Sequence, residues 1–504
     1  MATTIPEGTY IGQYGYTILK KNITSEQLEN IKDELTVRPE TPGAPKSVSN
    51  KNVFYAYRYT DKKLFVPYYY GVTKFGIPAV SKLPEGDPID IEFAGELRPK
   101  QVPVVEAFMK HIDTGPKSGG LLELPCAFGK TCLALYIISL LKTKTLIIVH
   151  KTFLLNQWVS RITEFLPGVK IGKIQGGVID VEGADIVIGM LQSLSMKEYP
   201  KHLFDCFGLT VIDEVHHISS ETFSKSLFNI VTKYTLGLSA TMNRKDGTTN
   251  VFKMFLGGVR FKGTRAKREV SVKSIKYISD DDDFNALELD KRGDVSYSRM
   301  VTKLCEYTPR SEFILEVIKD MLEKEPDQQI MIIGTNKSII KYMHDAIKRR
   351  NIATVGNYIG GMSESKLTES ENKQVITATY AMAAEGLDIP SLTKLVMVTP
   401  RVDIEQTVGR VLRDQHSLPE VVDIVDKHSV FMRQSKKRET FFKSEGYTID
   451  TITSTKYFET PQKWTRKSCY NNNKSSGYNG HQPLEDDDPL TGKCFFTDKT
   501  SINK

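Results

Sequence analysis

Two stretches of the chain carry residue types, at spacings, that could do phosphate chemistry. Leu124-Pro-Cys-Ala-Phe-Gly-Lys-Thr131 follows a short apolar run at 120–124 and precedes an apolar segment at 132–141 that predicts a helix. A strand, a loop closing on Gly-Lys-Thr and a helix make a phosphate cradle, because backbone N–H groups and the positive end of the helix dipole face an anion there. Phe128, Gly129, Lys130 and Thr131 are the candidate ATP-binding residues. Lys130 would reach the β- and γ-phosphates, and Thr131 would offer its hydroxyl to Mg2+. The strict pattern opens on Gly, where this chain has Leu124. The second stretch is Leu209-Thr-Val-Ile-Asp-Glu-Val-His216, an apolar strand ending in paired carboxylates. Asp213 would hold Mg2+ and Glu214 would polarise an attacking water; two such acids are costly to bury without a cation. His216 and His217 read equally as coupling residues or as surface polar groups.

Parallel strands with crossover helices would position these groups. From about 95 to 260, the apolar runs 145–149, 185–188 and 209–212 each precede a polar loop, with helical periodicity between them. A second such block covers about 301–450, with runs at 329–333, 374–377 and 394–398. The expected fold class is therefore α/β, with two successive parallel sheets. Residues 1–94 are aromatic-rich and predict a small, mainly β accessory domain. There Val53–Tyr59 alternates, and Leu64–Gly71 follows it as further strand. Its tyrosines, beside Arg58, Lys62 and Lys63, read either as core and edge residues or as rings on which bases stack. Residues 266–300 read as a linker, ending in charge runs such as Asp280–Asp283, and 456–504 as a mobile polar tail. The basic segments 260–276 and 433–443 read as solvated faces or as added affinity for a polyanion.

Composition narrows the class. The 504 residues are 40% hydrophobic and 26% charged, which suits a globular chain with proper cores. No apolar run approaches the ~18 residues of a membrane span, and residues 1–10 lack the pattern of a signal peptide. Cysteines at 126, 132, 206, 305, 469 and 494 form no CxxC pair, and the nine histidines show no ligand spacing. A disulfide framework and a zinc cluster are therefore not expected, and a reducing, cytoplasmic setting is. The net charge of +7 is compatible with a polyanionic partner.

The ordered series of motifs resembles superfamily 2 helicases of the DExH type over about residues 95–445. His150–Trp158 is similar to motif Ia, and Gly189–Leu194 to a further strand-contact motif. Asp213-Glu-Val-His216 is the DExH box, and Ser239-Ala-Thr241 the Ser-Ala-Thr of motif III. Ile330–Thr335 resembles motif IV, Thr379–Pro390 motif V, and Gln406-Thr-Val-Gly-Arg-Val-Leu-Arg413 motif VI. Leu97-Arg-Pro-Lys-Gln101, Leu124-Pro-Cys126 and Asn156-Gln-Trp158 look like XPB-type DNA helicases and their relatives in large DNA viruses, such as the poxvirus transcript-release helicase. Arg244-Lys-Asp246 departs from the Arg-Glu-Asp of that group.

The resemblance implies two RecA-like domains, at 95–265 and 301–455, with ATP and Mg2+ as cofactors. It implies Arg98 and Gln101 near the adenine, and Gly386 and Asp388 at the nucleotide. Gln406, Arg410 and Arg413 would act in catalysis, the two arginines as fingers on the developing phosphate charge. His216, Ser239 and Thr241 would couple the sites. Thr152, Gln192, Thr335 and Thr379 would touch the strand backbone. The partner implied is DNA or RNA, as a single strand or a duplex with an overhang, without a membrane. An ATP-driven DNA helicase in transcription or repair, with transcription machinery as a partner and a viral factory or virion as its place if viral, is the first reading. An RNA helicase and a catalytically inactive nucleotide clamp are the rivals.

Overall fold

A computed structural model describes the chain apart from residues 1–6, 40–52, 201, 218–219, 243–245, 265–268, 386–388, 390, 412–418 and 469–504. The described residues form two compact units that adjoin in sequence at 264–265.

The first unit begins with short strands: β1 Tyr10–Gly12, β2 Gly15–Leu19, β3 Thr36–Val37, β4 Phe54–Tyr55, β5 Arg58–Tyr59, β6 Lys63–Val66 and β7 Val80–Ser81. Five of them make a sheet in the order β5-β6-β2-β1-β7, and β3 pairs with β4 apart from it. Thr24 opens the helix Ser25–Glu34 with a capping box, its hydroxyl accepting from the Gln27 N–H while Gln27 accepts from the Thr24 N–H. The expectation of strand across 64–71 is half corrected. Chain direction changes at Pro67, and Tyr68–Phe75 is a helix ending on Gly76 at φ +88°. A short aromatic run has no period that tells strand from buried helix. Gly71 lets that helix lie on β2, since a Cβ there would sit 2.2 Å from the Tyr16 ring.

The rest of the unit is a sheet of β8 Ser118–Glu123, β9 Thr145–Val149, β10 Ile171–Gln175, β11 Val178–Asp180, β12 Ile186–Met190, β13 Leu209–Ile212, β14 Tyr234–Ser239 and β15 Val259–Lys262. The order is β11-β10-β12-β9-β13-β14-β8-β15, parallel throughout except for β10–β11. Strand residues alternate between two cores: Leu121, Leu146 and Ile148 face one, Leu122, Ile147 and Val149 the other. The first of these cores also holds Ile11, Tyr16, Ile18 and Leu64, so the N-terminal sheet shares the core of the large one.

The second unit repeats the plan with β16 Ser271–Tyr277, β17 Gln329–Gly334, β18 Val355–Tyr358, β19 Val375–Thr379, β20 Leu392–Met397, β21 Glu420–Asp426, β22 Thr448–Thr453 and β23 Thr465–Ser468. Their order is β18-β19-β17-β20-β21-β16-β22-β23, with only β22–β23 antiparallel. Two expectations fail here. The 266–300 segment is no linker, because β16 lies inside the sheet, between β21 and β22. Its lysines misled: Lys273 bonds Asp450 at 2.8 Å, a partner 177 residues away. The tail also starts later than 456. Tyr457 is buried and donates to Asp320, and β23 pairs with β22; residues 469–504 lie outside the described set. In the two basic segments, Arg260 bonds the Gly119 carbonyl and Arg438 is buried against Asp423, whereas Lys262, Arg433, Lys436 and Lys437 are exposed.

Candidate active site

The phosphate loop follows β8 and the paired acids follow β13, with β14 lying between those strands. Leu124 replaces the expected glycine because it prolongs the strand: it is fully buried and its N–H donates to the Ser239 carbonyl. Farther on the loop needs a real glycine. Gly129 sits at φ +94°, and a Cβ on it would come 2.5 Å from Gln101 Nε2 and 2.8 Å from Arg98 Nη2. Gln101 is wholly buried with both ends of its amide engaged. Its Oε1 accepts from the Arg98 N–H at 2.8 Å and its Nε2 donates to the Phe128 carbonyl at 3.1 Å. In this state Gln101 clamps the loop.

Lys130 opens the helix Lys130–Leu141, with Thr131 next to it. The Lys130 ammonium donates to Glu214 Oε1 at 2.9 Å. Burial works to lower the Lys130 pKa, but Glu214, Cys126 and Asp213 outweigh it, and the group is held above its ordinary value. Asp213 is raised, first by burial and then by the Glu214 carboxylate, against the pull of Lys130. Its two oxygens are fixed, Oδ2 by the Trp158 indole N–H at 2.9 Å and Oδ1 by the Glu214 N–H at 2.9 Å. Glu214 occupies the left-handed region at φ +48°, strain that a non-glycine residue carries at a cost on the order of 1 kcal/mol. That turn aims its carboxylate back at Lys130. Two buried carboxylates against one ammonium leave a residual negative charge, which fits a divalent cation arriving with a nucleotide.

Beside the acids, His216 Nδ1 lies 2.6 Å from Ser239 Oγ and 3.5 Å from Glu214 Oε2. Ser239 Oγ donates to the Thr241 carbonyl at 2.5 Å, so its lone pairs remain for the imidazole N–H. His216, Ser239 and Thr241 therefore form one connected group touching Glu214.

A second cluster gathers at the ends of β9, β10 and β12. Thr152 starts the helix Thr152–Phe165 and accepts from Gln175 at 3.1 Å. Gln192 donates to the His150 carbonyl at 3.0 Å, and Ser193 accepts from the Gly176 N–H at 2.9 Å. In the second unit, Thr335 follows β17, Thr379 ends β19 and Thr399 follows β20. The Thr335 N–H donates to Thr399 Oγ1 at 2.8 Å. Behind this rim, Arg310 grips both oxygens of Asp426 at 2.5 and 2.8 Å, and Arg438 both of Asp423 at 3.0 and 2.9 Å. They also donate to the Val398 and Arg401 carbonyls, fixing the loop ahead of the helix Glu405–Val411.

Residues 94–244 match the family described as "Type III restriction enzyme, res subunit". A protein of Acanthamoeba polyphaga mimivirus, named "Putative ATP-dependent RNA helicase", is 34% identical over 454 residues, covering 88% of this chain and 86% of that one. This chain belongs to the superfamily 2 helicases. An African swine fever virus protein named in the same terms is 26% identical, with 71% of this chain and 72% of that one covered. A helicase of Invertebrate iridescent virus 6 is 25% identical, with 73% and 85% covered. Among solved structures, T4 UvsW aligns at 18% identity over 88% of this chain and 99% of that chain, with a TM-score of 0.34. By its viral relatives the helicase is similar to proteins of large DNA viruses named "Putative ATP-dependent RNA helicase", and no helix among its described residues is long and apolar enough to cross a membrane.

For this helicase the structure brings together Arg98, Gln101, Phe128, Gly129, Lys130, Asp213, Glu214, His216, Ser239 and Thr241 in one unit. Gly386, Asp388 and Arg413 lie outside the described residues, as do the side chains of Gln406 and Arg410. Sequence reasoning missed the roles of Trp158, Thr399, Arg310 and Arg438. Trp158 alone gave a signal: a buried indole N–H needs an acceptor, and Trp158 falls on the apolar stripe Leu154, Leu155, Trp158, Ile162.

Proposed function

We propose that this helicase couples ATP hydrolysis to movement along DNA. The observation that supports the reading most is the Lys130–Glu214–Asp213 cluster, joined through His216 to Ser239. On nucleotide binding, Lys130 exchanges the Glu214 carboxylate for the β- and γ-phosphates. The released carboxylate then accepts a proton from the attacking water. Asp213, already oriented by Trp158, and Thr131 would hold Mg2+, which would supply neutralisation of the charge on the phosphate oxygens. The Glu214–His216–Ser239 chain carries the change at the phosphate to the Ser-Ala-Thr segment. In this reading Arg410 and Arg413, with Gln406, come from the second RecA-like domain to stabilise the developing charge. Arg98 and Gln101 border the base, while Gly386 and Asp388 line the nucleotide. Thr152, Gln192, Thr335 and Thr379 hold the phosphate backbone, so affinity is sequence-tolerant and falls with salt.

DNA as the strand is favoured by the resemblance of Leu97–Gln101, Leu124–Cys126 and Asn156–Trp158 to XPB-type enzymes, while His216 speaks only against the DEAD-box class. The names of the mimivirus and African swine fever virus relatives favour the second reading, RNA. Unwinding of DNA–DNA and RNA–DNA duplexes with defined overhangs, alongside ATPase assays with each strand, decides between them. Stimulation by DNA and separation of DNA duplexes are expected. Stimulation by RNA alone would transfer the substrate to RNA, and absence of any stimulated hydrolysis would end the motor reading.

A further inference from the structure

We propose that the outward face of Tyr55, Tyr57 and Tyr59, rimmed by Lys20 and Lys32, is a second nucleic-acid site that takes unpaired bases. It rests on the reading that this helicase acts on a strand, and it adds a binding surface outside the motor cores. The segment alternates, with Tyr57 half-buried between the two exposed rings and packed in part against the core. Phe54 and Ala56 are buried at 4% and 0% exposure, whereas Tyr55 and Tyr59 are 59% and 62% exposed. The inward residues anchor it. The Ala56 N–H donates to the Leu35 carbonyl, and Arg58 donates to Asn229 at 2.7 Å and to the Lys225 carbonyl at 2.9 Å. Arg58 also lies over the Phe228 ring, so it is a fastener to the helix Ser220–Asn229 and takes no part in the outer face.

With the backbone held this way, the three tyrosines form a fixed ladder. Tyr55 and Tyr57 meet edge to face at 5.5 Å, and Tyr57 and Tyr59 stack at 6.3 Å with 28° between planes. Large, exposed aromatic rings in a row cost little entropy to hold, and they offer π-faces that every base can use. Cations border them. Lys20 Nζ lies 4.7 Å and Lys32 Nζ 5.7 Å from the Tyr59 centroid, with Glu29 paired to Lys32 at the margin. An ammonium resting on a ring is placed to move to a phosphate as a base takes the π-face. Tyrosines alone would suit many partners; tyrosines edged by lysines suit a polyanion whose bases are free to stack, which means single-stranded DNA or RNA rather than closed duplex.

The test uses the full-length protein and a thymidine oligonucleotide carrying single 5-iodouracil substitutions, which crosslink to stacked aromatic rings on irradiation. Mass spectrometry is expected to find crosslinks at Tyr55 or Tyr59. Joint Tyr55→Ala and Tyr59→Ala substitution is expected to weaken oligonucleotide binding about tenfold or more. Phenylalanine at both positions should restore binding, because the ring and not the hydroxyl is used. Basal ATPase and melting temperature of the alanine variant should stay as in wild type, since both rings are mostly exposed. Lys20→Glu should weaken binding and flatten its salt dependence by about one ion. Unchanged affinity in the alanine variant with crosslinks confined to other segments would overturn the proposal while leaving the motor reading intact. Crosslinks at Tyr55 or Tyr59 without any strand-stimulated hydrolysis would do the reverse.

Discussion

At the rim of the first large sheet, the Lys130 ammonium bonds Glu214 and acts on Asp213 only through its charge; behind the rim of the second, Arg310 and Arg438 each hold one carboxylate with two hydrogen bonds. The architectures are alike, so the contrast lies in charge balance. The first arrangement is left negative and strained at Glu214, as suits a site that completes itself with a ligand. The second is neutral pair by pair, and its task is to fix the loop leading into the helix that carries Gln406 and Arg410. One rim is built to change state, the other to stay put.

The largest effect expected from breaking this contrast is at Arg410. Arg410→Lys keeps a positive charge but loses the planar fork. Strand-stimulated ATPase is expected to drop on the order of a hundredfold or more, with nucleotide binding and folding retained. Preserved stimulation would make Arg410 an ordinary surface charge. Arg310→Met comes next and should act oppositely. It leaves Asp426 buried without its partner, a loss of roughly 3–5 kcal/mol of stability for such pairs. Urea titration should show an early transition, and Arg310→Met with Asp426→Leu together should recover much of the loss. A midpoint equal to wild type in the single variant would show that the pair does not scaffold the loop.

The smallest effect belongs to Lys117, buried in the first unit and donating to the Thr232 carbonyl at 2.6 Å. Burial pushes its ammonium down to about 7 from 10.5. Between those values the unfolded chain binds more protons than the folded one, so stability should climb as pH rises through that window and lie lowest at and below pH 7. The slope from one such group is at most about 1.4 kcal/mol per pH unit. Comparing urea midpoints at pH 7 and pH 9 in wild type and Lys117→Met isolates it, because the methionine variant should lose this part of the rise. Identical pH dependence in both would mean that Lys117 stays charged in the fold.

Much of this was legible because the decisive information is local. Strands β9, β13 and β17 are continuous apolar runs since both faces of their sheets are covered, and the loop around Lys130 and the Asp213–Glu214 pair carry their chemistry in adjacent residues. What escaped depends on partners far along the chain. Trp158 meets an aspartate 55 residues away, and Arg310 one 116 residues away. β16 hid behind lysines whose carboxylate partner comes from another strand. The helix Tyr68–Phe75 was obscured because an eight-residue aromatic run has no decisive period.

Lys130, Asp213 and Glu214 are the proposed ATP-hydrolysing site. Glu214→Gln tests it most directly, with ATP affinity and single-turnover hydrolysis measured separately on the same protein. The amide keeps the shape of the side chain but cannot accept the water's proton. ATP binding within a few-fold of wild type and turnover reduced roughly a hundredfold or more are expected. Turnover close to wild type would contradict the assignment.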